Sequence, residues 1–332
     1  MMRTAILLVP GVYLSAVYGL CELFEFAEKT APGSFTVETV RPGAFRDSAD
    51  MRPPYGLVVI PPFRTDVLTP KRPRAPFSSL QQDCILLDEK FKRTAAALGR
   101  EYERGAKICS VCAGAFYLCA AGIADGKKAT THWNLAGSLA ALFPLVEVEA
   151  ERMLIDSGSF ATAGGLTAWQ DLGLHLIRDV CGEETALAAA STFLINPGDR
   201  SQLAYAMKSL ERFPADETVA KAIAVMTAEC ASGIGISETA DRCGVTVRTL
   251  LRRFALSGAE SPGAMLRSIR LEKARKLLAT GTASVKEVAR ECGYADAASF
   301  ARAFRAEAGT TPADYRRAFA SSKSSKNRCS HL

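Results

Sequence analysis

The chain has 332 residues, 48% hydrophobic and 23% charged, with 41 Lys/Arg against 35 Asp/Glu for a formal net charge of +6. That length suits roughly two domains with sizeable cores, and no apolar run approaches the roughly 20 residues that a membrane helix needs. Ten cysteines are scattered, several of them in apolar segments such as those around Cys21, Cys119 and Cys181, which suits reduced, buried thiols in a cytoplasmic protein better than a disulfide scaffold.

The start, Met1–Pro10, carries one charge and a short apolar run that stops at Pro10-Gly11, so it reads as a first strand and not as a signal peptide. Strand-like segments at Thr4–Pro10, Phe35–Arg41, Gly56–Pro62 and Ala106–Cys112 then alternate with helical patterns at Ala16–Lys29 and Asp88–Arg104, an α/β arrangement. Ala5–Val9 and Gly56–Ile60 are continuous apolar runs, as expected of parallel strands covered on both faces. The Arg- and Pro-rich stretch Arg64–Ser79 is an irregular excursion. Val146–Ala150 and Met153–Ile155 predict a hairpin, followed by a strand at Phe160–Gly164 and a helix at Leu166–Val180. Residues 1–195 thus form one domain. The stretch 196–217, with Pro197-Gly198-Asp199 and Pro214, reads as a linker. Residues 218–319 show only helical patterns, and the Ser/Lys-rich tail 320–332 reads as disordered.

Charge divides the chain in the same place. Residues 1–212 carry 22 Lys/Arg against 23 Asp/Glu, and residues 213–332 carry 19 against 12, so the whole positive excess sits in the last third. A basic helical domain beside a neutral one points to a polyanionic partner for the basic part alone.

The helical domain contains an internal repeat. Ile236–Val245 recurs as Val285–Tyr294 at an offset of 49, and Leu250–Phe254 recurs as Phe300–Phe304 at an offset of 50. Each copy reads as a short helix, a glycine turn (Gly244, Gly293) and a second helix, with Ser284 and Glu287 as a capping box in the second copy. Between them a helix from Pro262 to about Gly281 can hold both units at a fixed spacing, so that two recognition helices enter successive major grooves of a duplex. The spacing puts Phe254, Phe300 and Phe304 in the core.

Over about a hundred residues this segment resembles the DNA-binding domains of the AraC/XylS family. The marks are Arg248–Phe254, Ser261-Pro262, Ile269–Ala274, Cys292-Gly293-Tyr294, Ser299–Arg305 and Gly309–Arg316. The resemblance implies double-stranded DNA as partner, with base-reading positions at Arg248, Leu251 and Arg252 in the first unit and at Ala297, Ala298 and Arg302 in the second. Two alanines offer bases only methyl contacts, so Arg302 carries most of any hydrogen-bonded readout there. Arg253, Lys286, Arg305 and Arg316 are assigned to phosphates, which position the domain without specifying sequence.

In the first domain, Ala106–Phe116 is a strand running into small residues and a helix. That places Cys112 on a sharp turn where a helix N-terminus would favour a thiolate. His132, in Ala129–Trp133, is its candidate partner, and Cys112, Ala113 and His132 together are the candidate ligand cleft. If the domain were catalytic, Cys112 and His132 would be the reacting pair. Three histidines, widely separated, argue against a zinc site, and no cofactor is expected.

Val9–Val12, Gly19–Phe24, Val111–Phe116, Ala121–Trp133 and Thr162–Gly165, with Asp171 and His175, resemble the class I glutamine amidotransferase-like superfamily in its intracellular-protease-like branch. The whole chain resembles regulators that join this domain to an AraC-type one. The resemblance implies a flavodoxin-like parallel-sheet sandwich joined to an all-α domain with two helix-turn-helix units. Ala16 stands where enzymatic relatives have a carboxylate, and Pro61-Pro62 where the family commonly has two glycines, so backbone N–H donors are lost. Both departures favour a sensor over a catalyst. The expected function is a cytoplasmic, nucleoid-associated homodimeric transcription factor that responds to a small-molecule effector and has no membrane partner. The competing reading is a cysteine-dependent amidase or hydrolase with an accessory DNA-binding domain.

Overall fold

The structure, a computed structural model, describes residues 1–44, 54–64, 88–198, 200–206, 216–257 and 260–319. Most of the Arg64–Ser79 excursion and the 320–332 tail lie outside the described residues. Met1–Gln202 form one compact unit and the residues from Leu203 onward a second.

The strands of the first unit are β1 (Met2–Leu7), β2 (Phe35–Val40), β3 (Leu57–Ile60), β4 (Lys107–Val111), β5 (Lys128–Ala129), β6 (Glu147–Val148), β7 (Leu154–Asp156) and β8 (Phe160–Ala163). Six of them make a sheet in the order β2-β1-β3-β4-β8-β7, parallel throughout except for β7 against β8. All four residues of β3 are fully buried, the expected signature of a parallel strand covered on both faces. The α/β parallel-sheet reading is borne out.

Helices α1 (Leu14–Thr30), α2 (Glu89–Glu103), α3 (Ala115–Ala120), α4 (Ala136–Leu142), α5 (Trp169–Cys181) and α6 (Glu183–Phe193) accompany the sheet. On α1 the buried positions Ala16, Val17, Leu20, Leu23, Phe24 and Ala27 follow helical spacing and form the core stripe. Glycines let α1 and α5 approach closely: a Cβ on Gly19 would sit 2.3 Å from the Trp169 ring, and one on Gly173 would sit 2.8 Å from Leu23.

One expected pairing is corrected. Val146–Ala150 and Met153–Ile155 do not pair with each other. β6 lies parallel to β5, and β7 forms its hairpin with β8. The turn is Ser157-Gly158-Ser159, where Gly158 has φ 79° and Ser157 N–H donates to the Phe160 carbonyl. This Gly-centred signal outweighed the apolar runs on which the expectation rested.

The second unit is helical among the described residues: α7 (Glu217–Glu229), α8 (Ile236–Cys243), α9 (Val247–Leu256), α10 (Pro262–Thr280), α11 (Val285–Glu291), α12 (Ala297–Ala308) and α13 (Pro312–Phe319). The repeat appears as two helix-turn-helix units, α8–α9 and α11–α12, with Gly244 and Gly293 both at φ 74° in their turns. The helix starts are capped as their sequences require: Thr246 accepts from Thr249 N–H, Asp296 from Ser299 N–H, and Ser284 and Glu287 bond reciprocally. α10 serves two cores. Leu266 and Ile269 pack with Leu250 and Phe254 of the first unit, and Leu271, Ala274 and Leu278 with Phe300 and Phe304 of the second. Among the described residues no helix is long and apolar enough to cross a membrane.

Candidate functional site

On α9, burial of Leu250 and Phe254 turns the opposite face outward. Arg248, Leu251 and Arg252 are all exposed there, and Leu251 is 48% exposed despite being apolar. Arg248 and Arg252 are i,i+4 neighbours on that face. Arg253 turns away, with Nη1 3.1 Å from the carboxylate of Asp216. Asp216 also caps α7, accepting from Thr218 and Val219 N–H, so Arg253 ties α9 to α7.

On α12, Phe300 and Phe304 are buried, Ala298, Arg302 and Arg305 are exposed, and Ala297 packs against the second core. Arg302 reaches Ser299 Oγ at 3.0 Å. Lys286 is exposed on α11. Arg316 is half-buried and donates to the Ala283 carbonyl ahead of α11, which gives it a structural partner. One role that sequence reasoning missed lies on α10. Arg270 on α10 donates to the carbonyls of Cys230 and Ile234 and lies 5.9 Å over the Tyr294 ring. It therefore joins the loop before α8 to the glycine turn of the second unit.

The second candidate site lies at the C-terminal ends of the parallel strands. β4 runs into Cys112, which holds φ 55°, a left-handed conformation uncommon for a residue with a Cβ. The chain must turn hard because Gly114 lies against β3, where a Cβ would come 2.6 Å from the Ile60 carbonyl. Cys112 is 2% exposed, and Ala113 is fully buried. Burial pushes the Cys112 thiol up to about 12, opposed only by the Ala113 N–H. Desolvation in the turn therefore works against the expected thiolate, ahead of a helix only six residues long. Cys109 and Cys119 are likewise pushed up to about 12 by burial.

His132 comes near this turn through its neighbour, since Thr131 Oγ1 donates to the Cys112 carbonyl at 2.7 Å. His132 is half-buried, Nδ1 accepts from Asn134 N–H, and burial holds its pKa below the usual imidazole range. Ala16 is buried in α1, and Glu22 and Glu25 are exposed. Pro61 and Pro62 are buried at the end of β3, where the Pro62 carbonyl accepts from Tyr13 N–H. Neither supplies an N–H toward the turn.

Gln202, within the stretch expected to be linker, enters the same region. Its buried carboxamide contacts Thr130, Thr131, Arg152 and Trp133. Only the tertiary fold reveals it, because a lone Gln in a loop carries no sequence signal. Asp171 pairs bidentately with Arg200, and His175 Nε2 lies 2.6 Å from Asp156. Asp156, His175 and Asp179 converge closely enough to suggest cation ligands. Lys107 Nζ sits 2.7 and 3.3 Å from the two carboxylates, so its ammonium supplies the positive charge of this network. Burial works against the Asp156 carboxylate, but hydrogen bonds from Lys107 and His175 outweigh it and hold its pKa below the usual range.

A family model described as a helix-turn-helix domain matches residues 239–318, and one for the DJ-1/PfpI family matches residues 87–179. The chain is 30% identical over 223 residues to the HTH-type transcriptional regulator GbdR of Pseudomonas aeruginosa, covering 66% of this chain and 60% of that protein. It is 29% identical over 213 residues to the HTH-type transcriptional regulator CdhR of the same species, covering 64% and 63%. The chain thus spans less than two thirds of the length of these relatives. A solved structure of a THiJ/PfpI family protein from Pseudomonas syringae is similar at TM-score 0.45 and 21% identity, covering 69% of this chain and 86% of that one. With each model matched to its own compact unit, the chain joins a DJ-1/PfpI domain, class I glutamine amidotransferase-like, to an AraC-type helix-turn-helix domain.

Proposed function

We propose that the protein is a sequence-specific DNA-binding transcription factor whose α/β domain responds to a small-molecule effector. The observation that carries this reading is the doubled helix-turn-helix unit built around one shared helix, with an exposed arginine face on α9 and Arg302 exposed on α12. Two recognition helices held in one body suit successive major grooves, and the surplus of Lys/Arg in the same third of the chain favours a polyanion. Arg248, Leu251 and Arg252, with Ala298 and Arg302, face bases, and Ala297 adjoins them at the start of α12 while packing against the second core. Arg253, Lys286, Arg305 and Arg316 hold phosphates, Arg253 and Arg316 while keeping their protein partners.

In this reading residues 1–195 sense and dimerise, 196–217 connect, and 218–319 bind DNA, in the cytoplasm and on the nucleoid. Cys112, Ala113 and His132 mark the effector cleft. The left-handed Cys112 turn is the feature that favours the cysteine-hydrolase alternative. A nearly enclosed, protonated thiol and the lack of a carboxylate at Ala16 weigh against it. Selection of bound duplexes from a random library by the full chain, followed by competition against scrambled sequence, tests the reading. One preferred sequence class is expected. Equal affinity for all duplexes at physiological salt would sink it.

A further inference from the structure

Gln202 is 2% exposed, and every polar atom of its side chain is engaged. Nε2 lies 2.8 Å from the Thr131 carbonyl, 3.0 Å from the Arg152 carbonyl and 3.2 Å from Thr130 Oγ1, while Oε1 accepts from Trp133 N–H at 3.0 Å. Three acceptors therefore converge on a nitrogen that has two hydrogens. The floor of the slot is Gly164, at the end of β8, where a Cβ would stand 1.9 Å from Nε2. The slot adjoins the candidate effector cleft, since Thr131 also donates to the Cys112 carbonyl and Trp133 follows His132.

The segment that delivers this carboxamide is laid over the domain rather than woven into its sheet. Ser201 makes an isolated bridge to Arg152, Gln202 N–H donates to the Glu151 carbonyl, and Arg200 pairs with Asp171. On one side the segment borders an open groove of about 340 Å3, lined in part by Asn196, Pro197, Gly198 and Arg200. Gln202 is the last residue of the first unit, and the chain continues from it into the second.

We propose that the Gln202 carboxamide is a resident, displaceable plug, and that the free ligand of its slot carries a nitrogen with two or three hydrogens, as in a primary amide or ammonium group. Binding of that group expels Gln202 and frees the strap Arg200–Gln202 that leads to the DNA-binding unit. The inference rests on the reading of the α/β domain as an effector domain, and it names the chemistry of that site.

The test uses full-length Gln202→Gly with propionamide, ethylammonium and N,N-dimethylpropionamide as probes, read by thermal unfolding. Propionamide or ethylammonium should raise the midpoint saturably, and the dimethyl amide, which has no N–H, should not. No saturable rise with either N–H probe, or an equal rise with all three, overturns the proposal. If Gln202→Gly does not fold, Gln202→Glu serves, because a carboxylate oxygen facing three acceptors is repelled. Its amides at 200–202 should exchange hydrogen at least about tenfold faster while β3 and β4 stay protected, and unchanged exchange overturns the proposal. In the wild type, the effective probe should speed exchange at 200–202 and change the affinity for selected DNA. Filling of the slot with exchange sped but DNA affinity unchanged upholds the plug and counts against the effector reading.

Discussion

A cysteine thiol reacts only as its thiolate, and the turn that holds Cys112 removes the water that would stabilise that charge. With the thiol pushed up to about 12, its thiolate population near neutral pH falls about three thousandfold below that of a free cysteine at about 8.5. Native protein treated with iodoacetamide at pH 7.5 should therefore label Cys112 at least about a thousandfold more slowly than denatured protein, as followed by mass spectrometry. Rapid native labelling would revive the nucleophile. His132 makes a prediction in pH. Burial lowers its pKa in the fold, so the folded state keeps it neutral while the unfolded chain takes up a proton below about 6.5. The stability associated with this group is complete above that value and is lost as pH falls through the depressed folded value. Urea midpoints of the wild type should decline from about pH 6.5 downward, and His132→Gln should flatten that limb. On the DNA side, Arg252→Ala should remove about 1–3 kcal/mol of discrimination at one base position if the guanidinium reads guanine. A uniform loss across sequences reassigns Arg252 to phosphate.

The two helix-turn-helix units look equivalent in sequence but their turns differ in surroundings. Gly244 and Gly293 share φ 74°, yet a Cβ on Gly244 meets nothing within 4 Å, whereas one on Gly293 would come 2.2 Å from the Cys230 carbonyl and 3.1 Å from Arg270 Nε. Gly244→Ala should thus cost only the left-handed penalty of about 1 kcal/mol. Gly293→Ala adds a backbone collision, for a total of about 2–4 kcal/mol. Denaturant melts of the two variants check the inequality, and equal losses would contradict the close contact. The repeat was legible because both units obey the same local rules of glycine turns, caps and i,i+4 burial. The role of Arg270 was not, since its partners lie 36 and 40 residues away in the chain.

For the chain as a whole, the α/β and all-α halves could be read from apolar runs and helical periodicity, because both are local consequences of burying one face of an element. Beyond the local β7–β8 turn, what escaped was set by long-range packing: the parallel pairing of β6 with β5, the enclosure of Cys112, and Gln202 lodged beside Thr130 and Thr131, which are 72 and 71 residues earlier. Assembly belongs to the same level. A single pair of recognition helices reads a short site, and a two-fold copy doubles it. The full chain should therefore sediment as a dimer at micromolar concentration, with the contact made by residues 1–212. A monomer with and without DNA would count against it.

Because α10 lends residues to both small cores, it fixes the rotational phase between the two faces proposed to read DNA as well as their separation. An α-helix advances about 1.5 Å and turns about 100° per residue. One alanine inserted between Ile269 and Arg270 would therefore barely lengthen the reach, yet it would swing Arg302 a quarter-turn or more out of step with Arg248 and Arg252. Bases placed farther apart on a straight duplex could not follow such a swing, so the proposed reading of DNA by both faces would tie the length of this helix to the pitch of DNA more tightly than the identity of most residues along it.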